Sequence, residues 1–308
     1  MATVSPHVAS LTTIVGRQAE LRALRSAFLS GSPVQVLTGM GGVGKTSIAR
    51  TYAQRHLNDY DLIWWIRAED PAAIDAEFRS LLEVLLPAGE AAQIADARTK
   101  ALGLLARVKD PWLLVLDNVP GAAACGGLLP PAGNGHVLIT SRTPDWPASD
   151  TVQPLDVSAA VDLLTKQSGD HDQLAAETLA TELGRLPLAL SQAAGFTRTN
   201  AIDLTTYLRL YRDRSVELLN ENRPADYPNT VVTTWQLAID HLSDNARAML
   251  NVFAFFAPDA IPVHLLFASM DELDRHRSVG ELRAYGLITR ATGSTMVTRA
   301  PARPGGYP

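Results

Sequence analysis

Cysteine is almost absent from this sequence: Cys125 is the only one among 308 residues. An intramolecular disulfide is therefore excluded, and a reducing compartment such as the cytoplasm is the expected location. The seven histidines are scattered, with no His or Cys partner at zinc-ligand spacing, so we expect no structural metal site. Cys125 lies in a run of small residues with no histidine near it in sequence, which favours an inert thiol.

A signal peptide and a long hydrophobic run are also missing. The first residues, Met1 to Pro6, contain no basic stretch followed by an apolar core. The most apolar later segment, residues 252–270, is interrupted by Pro258 and Pro262 and also contains an aspartate. It is too interrupted to span a bilayer, so we expect a soluble protein without a membrane partner.

An excess of positive charge is the third absence. The formal net charge is −5, which argues against electrostatic binding of the whole surface to nucleic acid or to anionic membranes. Apolar residues make up 46% of the chain and charged residues 19%, so a sizeable core can form. The length suits two or three domains of ordinary size.

The sequence does contain a complete phosphate-binding loop. Residues 39–46 are Gly-Met-Gly-Gly-Val-Gly-Lys-Thr, which matches the pattern G-x-x-x-x-G-K-[ST]. A predicted strand over 33–38 precedes it and a predicted helix over 47–54 follows, which is the setting that the motif needs. We expect Lys45 to reach the β- and γ-phosphates and the Thr46 hydroxyl to bind Mg²⁺. The predicted nucleotide-binding residues of this segment are Gly39, Gly41, Gly42, Val43, Gly44, Lys45, Thr46 and Ser47.

Apolar strands that alternate with helices predict the fold class. Continuous apolar runs over 61–67, 112–118 and 136–142 are typical of a parallel sheet covered by helices on both faces. The carboxyl ends of such strands line the ligand crevice. Polar side chains stand at those ends: Asp117, Asn118, Thr140, Ser141 and Arg142.

Three of these strand-end residues are candidate catalytic residues together with Lys45. Asp117 is suited to hold Mg²⁺ opposite Thr46, although a solvated strand-end carboxylate would give the same pattern. Asn118 follows it, where many related ATPases have a second acid. An amide orients water but cannot accept its proton, so slow hydrolysis is the hypothesis. Arg142 suits a γ-phosphate sensor; a surface arginine at a strand end is the alternative.

The rest of the chain is predicted to be helical, with a small hairpin at the end. Gly184-Arg-Leu-Pro187 alone indicates only a helix end followed by a helix start. Helices and then a hairpin around Thr292–Ser294 favour a winged helix. The predicted organisation is a flexible lead (1–13), a P-loop nucleotide-binding domain (14–157), a helical domain (158–228), a winged-helix-like domain (229–300) and a flexible tail (301–308).

These segments together resemble the NB-ARC ATPases, a branch of the signal-transduction (STAND) P-loop ATPases. The resemblance is carried, in family order, by residues 15–20, the loop at 39–46, 113–117, 138–142 and 184–190. It implies an ATP/ADP- and Mg²⁺-binding switch with an ARC-like helical domain. It also implies that Val15 and Arg17 lie near the adenine, ribose and phosphates, and that Pro187 packs near the base. The family usually has a histidine that senses the β-phosphate of ADP in its winged helix. The position that corresponds best in this sequence is a threonine, Thr298, which puts tight ADP locking in doubt.

Three functions follow from these observations. The first is a nucleotide-dependent switch that self-associates or signals to a protein partner. The second is a DNA-acting ATPase, since winged helices commonly bind DNA and the last domain carries several arginines. The third is a module that keeps its nucleotide without hydrolysing it. Only a short lead and tail flank the three domains, so we expect either a minimal switch that acts through partners or a truncated copy.

Overall fold

The computed structural model describes residues 3–8, 14–69, 71–218, 229–256, 261–290 and 296–299. The chain divides into two compact units: residues 1–40 with 44–153, and residues 154–308 with 41–43. The strands of the first unit are Thr3–Val4 (β1), Val34–Thr38 (β2), Leu62–Arg67 (β3), Trp112–Val119 (β4), Gly135–Ser141 (β5) and Asp150–Thr151 (β6). Its α-helices are Gln18–Leu29 (α1), Lys45–Arg55 (α2), Pro71–Leu85 (α3) and Ala97–Leu105 (α4).

The six strands of the first unit form one parallel sheet. Their order is β1-β3-β4-β5-β2-β6, and every neighbouring pair is parallel. The strand before the phosphate-binding loop, β2, therefore lies beside β5, and β5 separates it from β4. Because parallel strands end at the same edge, the loop and the ends of β4 and β5 meet there.

Helices cover both faces of this sheet. Alternate side chains of a strand point to opposite faces. Trp64 packs into a core cluster with residues of α3 and α4, whereas its neighbour Trp65 is buried on the other face, where the Arg50 guanidinium of α2 lies 5.4 Å from its ring centroid. Both tryptophans are core residues. The architecture confirms the predicted α/β fold class with a covered parallel sheet.

The N-terminal lead differs from the predicted flexible segment where the structure describes it. β1 pairs with β3, with Thr3 opposite Leu62. The next residues form a 3₁₀ turn, and the carbonyl oxygen of Val8 accepts a hydrogen bond from Gln54 Nε2 at 2.8 Å. Val8 is 1% exposed. A two-residue edge strand is too short to show a periodic pattern in sequence, so its pairing could not be predicted.

Aspartate side chains cap two of the helices. A 3₁₀ turn at Ala91–Gln93 precedes α4, and the Asp96 side chain caps α4 by accepting from Thr99 N at 3.0 Å. After β6, Asp156 caps the next helix, and its carboxylate accepts from Ala159 N at 2.7 Å.

The second unit is helical and carries a small antiparallel sheet. Its helices are Val157–Ser168 (α5), Gln173–Glu182 (α6), Pro187–Asn200 (α7), Leu204–Leu218 (α8), Asn229–Asp240 (α9), Asp244–Phe253 (α10), Val263–Leu266 (α11) and Glu272–Ala284 (α12). Its strands are Ile261–Pro262 (β7), Ile288–Arg290 (β8) and Met296–Arg299 (β9), in the order β7-β9-β8.

The predicted C-terminal hairpin is present as the antiparallel pair β8 and β9, with Ile288 opposite Arg299. Its turn, Thr292–Ser294, and the tail from 301 lie outside the described residues, as does the side chain of Thr298. The winged-helix assignment and the predicted domain boundaries stay predictions. Among the helices that the structure describes, none has the length and apolar character needed to cross a membrane.

Candidate functional site

The phosphate-binding loop has a backbone that only glycine adopts easily. Gly39, Gly42 and Gly44 have φ angles of 138°, 80° and 101°, in the left-handed region. Residues with a Cβ atom rarely adopt these angles. Glycine adopts them easily, which lets the loop curl and turn its N–H groups inward. Gly44 precedes α2 and gives the helix no side-chain cap. The first N–H groups of α2 are thus suited to an anion, which the helix dipole also favours.

Lys45 is folded back over the loop that precedes it. Its Nζ donates to the carbonyl oxygens of Gly39 at 2.6 Å and Met40 at 2.9 Å, and the residue is only 7% exposed. Burial and, to a smaller extent, the nearby Arg142 guanidinium lower the pKa of Lys45 to about 8, and Asp117 opposes both effects. A negatively charged ligand beside this ammonium would favour its charged form and so raise its pKa again.

Thr46 and Asp117 are brought together, as the sequence predicted. The Thr46 hydroxyl donates to Asp117 Oδ1 at 2.9 Å, which joins α2 to the end of β4. Because the Thr46 hydroxyl donates its hydrogen bond to the carboxylate, the lone pairs of its oxygen are available to bind a cation. Hydroxyl and carboxylate oxygens are the ligands that Mg²⁺ prefers, so the two residues fit the predicted metal. Within the described residues, no group of three or more His, Cys, Asp or Glu side chains could hold a metal without the nucleotide.

Asn118 adopts an unusual backbone conformation beside this pair. Its φ angle is 62°, and the register between β4 and β5 shifts between Leu116 and Val119. Asparagine tolerates left-handed angles better than most residues. The Asn118 N–H donates to the Thr140 hydroxyl at 2.8 Å. The residue type predicts a role for Asn118 in orienting water, but no pattern in the sequence indicates this backbone conformation.

Arg142 and Ser47 lie on the same unit as these residues. Arg142 directly follows β5, is half-buried, and is close enough to Lys45 to lower the pKa of its ammonium. Ser47 occupies the third position of α2 and is also half-buried. The predicted phosphate contacts of both residues stay predictions.

The remaining predicted site residues are less directly tied to the loop. Val15 is half-buried just before α1, and Arg17 is 3% exposed and pairs with Glu20 at 2.6 Å. Pro187 is the first residue of α7, in the second unit, where proline suits the first helical turn. Their predicted places near the base, ribose and phosphates stay predictions.

Thr140 is a residue to which the sequence assigned no role of its own. It is 1% exposed, and its hydroxyl donates to Asp117 Oδ1 at 2.6 Å. The sequence feature that could have indicated a role for Thr140 is its position at the end of an apolar strand, as Asp117 is at the end of β4. Sequence alone did not show that its side chain faces Asp117.

The comparisons with known proteins agree with this geometry. A family model described as AAA ATPase domain matches residues 13–281. A nucleotide-binding leucine-rich repeat (NLR)-like protein of Hyaloscypha variabilis is 26% identical over 89% of this chain and 32% of its own length. A signal transduction ATPase with numerous domains (STAND) from Pyrococcus horikoshii, which has a tetratricopeptide repeat sensor, is similar in fold. Its TM-score is 0.59 at 17% identity, over 96% of this chain and 42% of that one.

These matches confirm the resemblance to the NB-ARC branch of STAND P-loop ATPases. They also show a difference in extent, because this chain spans 32% of the fungal protein and 42% of the archaeal one. What those longer proteins do as a whole therefore does not follow for this chain.

Proposed function

Because the chain belongs to the AAA ATPase domain family, we propose that it is an ATP- and ADP-binding molecular switch. It hydrolyses ATP slowly with Mg²⁺ and signals by a nucleotide-dependent rearrangement of its domains followed by assembly. The observation that carries the proposal is the Thr46–Asp117 hydrogen bond of 2.9 Å, which places a hydroxyl and a carboxylate beside the glycine loop.

The residues of the site divide the work of binding. The loop N–H groups and the start of α2 hold the phosphates, and Lys45 neutralises the β- and γ-phosphates. Thr46 and Asp117 hold Mg²⁺, which when bound offsets the charge that develops on the transferred phosphoryl group. Arg142 adds a second cation at the γ-phosphate, so its contact distinguishes ATP from ADP.

Slow hydrolysis follows from the residue after Asp117. The Asn118 amide can orient a water molecule, but it cannot take the water's proton as a carboxylate can. ATP would then persist long enough to act as a signal. A module that keeps nucleotide without any hydrolysis is the alternative that the same residue favours.

The switch itself requires that nucleotide binds two domain arrangements with different affinities. In the proposal, Pro187 and the C-terminal domain supply contacts that differ between ATP and ADP. The partner that reads the arrangement is a second copy of the chain or another protein.

The direct test is the nucleotide content of the purified protein, followed by exchange and turnover with Mg·ATP. We expect one ADP or ATP per chain, and turnover well below about 1 s⁻¹, the lower end of ordinary enzyme turnover. Lys45→Ala should lose the nucleotide, whereas Lys100→Ala, which removes an exposed lysine of α4, should keep it.

The outcomes separate the alternatives. Absence of bound and exchangeable adenine nucleotide in the wild type would sink the proposal. Bound nucleotide with zero turnover, in the wild type and in Asn118→Asp alike, would support the non-hydrolysing module. Salt-sensitive binding to duplex DNA would promote the DNA-acting ATPase.

A further inference from the structure

Near the carboxyl end of β4, the backbone ladder to β5 is interrupted, and side chains connect the two strands there. Regular pairing reaches Leu116 opposite Ile139 and resumes only at Val119 opposite Ser141. Asp117 and Asn118 lie between these pairs, and the single β5 residue opposite them is Thr140. The candidate Mg²⁺ residue therefore stands where the β4–β5 ladder is interrupted, while on its other side it remains paired with Arg67 of β3.

Three hydroxyl groups connect this interrupted segment and the residues just after it. Thr140 contacts Asp117 and Asn118, Ser141 Oγ donates to the Val119 carbonyl at 2.8 Å, and Thr143 Oγ1 donates to the Pro120 carbonyl at 2.6 Å. The first of these hydroxyls differs from the others because it reaches a side chain of the candidate site.

The direction of the two Thr140 hydrogen bonds follows from chemistry. A backbone N–H can only donate, so Thr140 Oγ1 must accept from Asn118 N at 2.8 Å. The hydroxyl's one proton is then free to point at Asp117 Oδ1, 2.6 Å away. The same Oδ1 accepts from Thr46 at 2.9 Å. Thr140 thus fixes the Asp117 carboxylate and the left-handed Asn118 backbone with one group.

We propose that Thr140 is a positioning residue of the Mg²⁺ site, acting through the Asp117 carboxylate. The inference rests on the proposed nucleotide-binding function. A carboxylate held by one hydroxyl from α2 and another from β5 keeps its orientation while the cation arrives. Groups that orient a metal-binding side chain commonly change metal affinity by about 10- to 100-fold when they are removed.

The test compares Mg²⁺-dependent and Mg²⁺-free ADP binding in the full chain. Thr140→Val removes the hydroxyl and keeps the shape. We expect ADP affinity in EDTA to stay as in the wild type, and the Mg²⁺ concentration that gives half of the Mg²⁺-dependent gain to rise about tenfold. Thr140→Ser retains the hydroxyl and should restore the wild-type midpoint.

The matched control is Thr51→Val in α2. Thr51 is 5% exposed, and its hydroxyl has no hydrogen-bond partner, so the same substitution removes no contact with Asp117. It should leave the Mg²⁺ midpoint unchanged. An unchanged midpoint in Thr140→Val, or an equal loss of ADP affinity with and without Mg²⁺, would overturn the inference.

A second readout needs no nucleotide. The amide hydrogen of Asn118 should exchange faster with solvent in Thr140→Val than in the wild type or Thr140→Ser, because its acceptor has gone. If wild-type protein binds no ADP, the proposed function fails by itself. Wild-type exchange at Asn118 in Thr140→Val would then overturn the positioning role independently.

Discussion

At the scale of single residues, the Lys45 ammonium is buried, and burial disfavours its charged form. Burial, and to a smaller extent the Arg142 guanidinium, lower the pKa of its ammonium from 10.5 to about 8. Between those two pH values the unfolded chain binds more protons than the folded one at this site. The contribution of Lys45 to the free energy of unfolding therefore rises with pH across this window.

This shift predicts a pH dependence for ADP binding. Affinity should fall as pH rises from 7 to 9, because the free protein loses the Lys45 proton near pH 8 and the phosphates bind the charged form. Binding near pH 8 should therefore take up protons. Calorimetry in buffers with different ionisation enthalpies measures that uptake.

Lys45→Arg provides the control for this prediction. A guanidinium stays charged throughout the range, so whatever affinity the variant keeps should vary little between pH 7 and 9. Lys100→Ala should retain the wild-type profile. A wild-type profile in Lys45→Arg would show that another group titrates.

The residues of the site could be predicted only where a contiguous stretch of sequence carries the pattern. The glycine loop, Lys45 and Thr46 follow from a contiguous motif, and Asp117 from an apolar strand that ends in an acid. The left-handed Asn118 and its contact with Thr140 depend on a register shift between two strands. No pattern within either strand indicates such a shift.

At the scale of elements, α7 and α12 approach each other closely within the second unit. A Cβ on Gly195 of α7 would lie 2.6 Å from the backbone oxygen of Ala284 in α12. Tyr285, just after α12, donates to Asn200 Oδ1 at 3.2 Å, and its ring lies 5.6 Å from that of Phe196. A glycine is therefore required where the two backbones meet.

Gly195→Ala should lower the free energy of unfolding by about 1–3 kcal/mol, the usual effect of forcing extra atoms into a packed contact. Chemical denaturation of the full chain measures the change. Gly280→Ala in α12 is the matched substitution, since its new methyl would meet nothing within 4 Å. It should raise stability by about 0.5–1 kcal/mol, because alanine loses less conformational freedom in a helix. Equal effects of the two substitutions would contradict the close approach.

Elements with a strong repeating pattern were predicted well, and short ones were not. β3 and β4 are continuous apolar runs, and α2 includes the whole of the predicted helix over 47–54. β1 and β6 have two residues each. Their existence depends on pairing partners far away in sequence, such as Leu62 for Thr3. The start of a helix also depends on a capping side chain, as Asp96 shows for α4.

At the scale of the whole molecule, the proposed switch requires both compact units to respond to one ligand. Lys45, Thr46 and Asp117 belong to the first unit and account for phosphate and Mg²⁺ binding, whereas Pro187 and the loop residues 41–43 belong to the second unit. A ligand that contacts only the first unit stabilises that unit and cannot change the arrangement of the two. The coupling of nucleotide binding to the domain arrangement is therefore a separate property from binding itself.

Mg·ADP should stabilise the folded chain by about 2.7 kcal/mol when its concentration is a hundred times the dissociation constant. Asp117→Asn should lose the Mg²⁺-dependent part of this gain, and Lys45→Ala the whole of it. Thermal unfolding with and without EDTA measures both. An equal gain in Lys45→Ala would place the nucleotide outside the loop.

The coupling can be located by amide exchange on the same samples. If the switch operates as proposed, Mg·ADP slows exchange both in α2 and at the start of α7, and Pro187→Ala reduces the second effect while ADP still protects α2. Protection confined to the first unit would leave a nucleotide-binding protein without a switch. Because binding and coupling are read in separate segments, this outcome overturns the rearrangement without affecting the site.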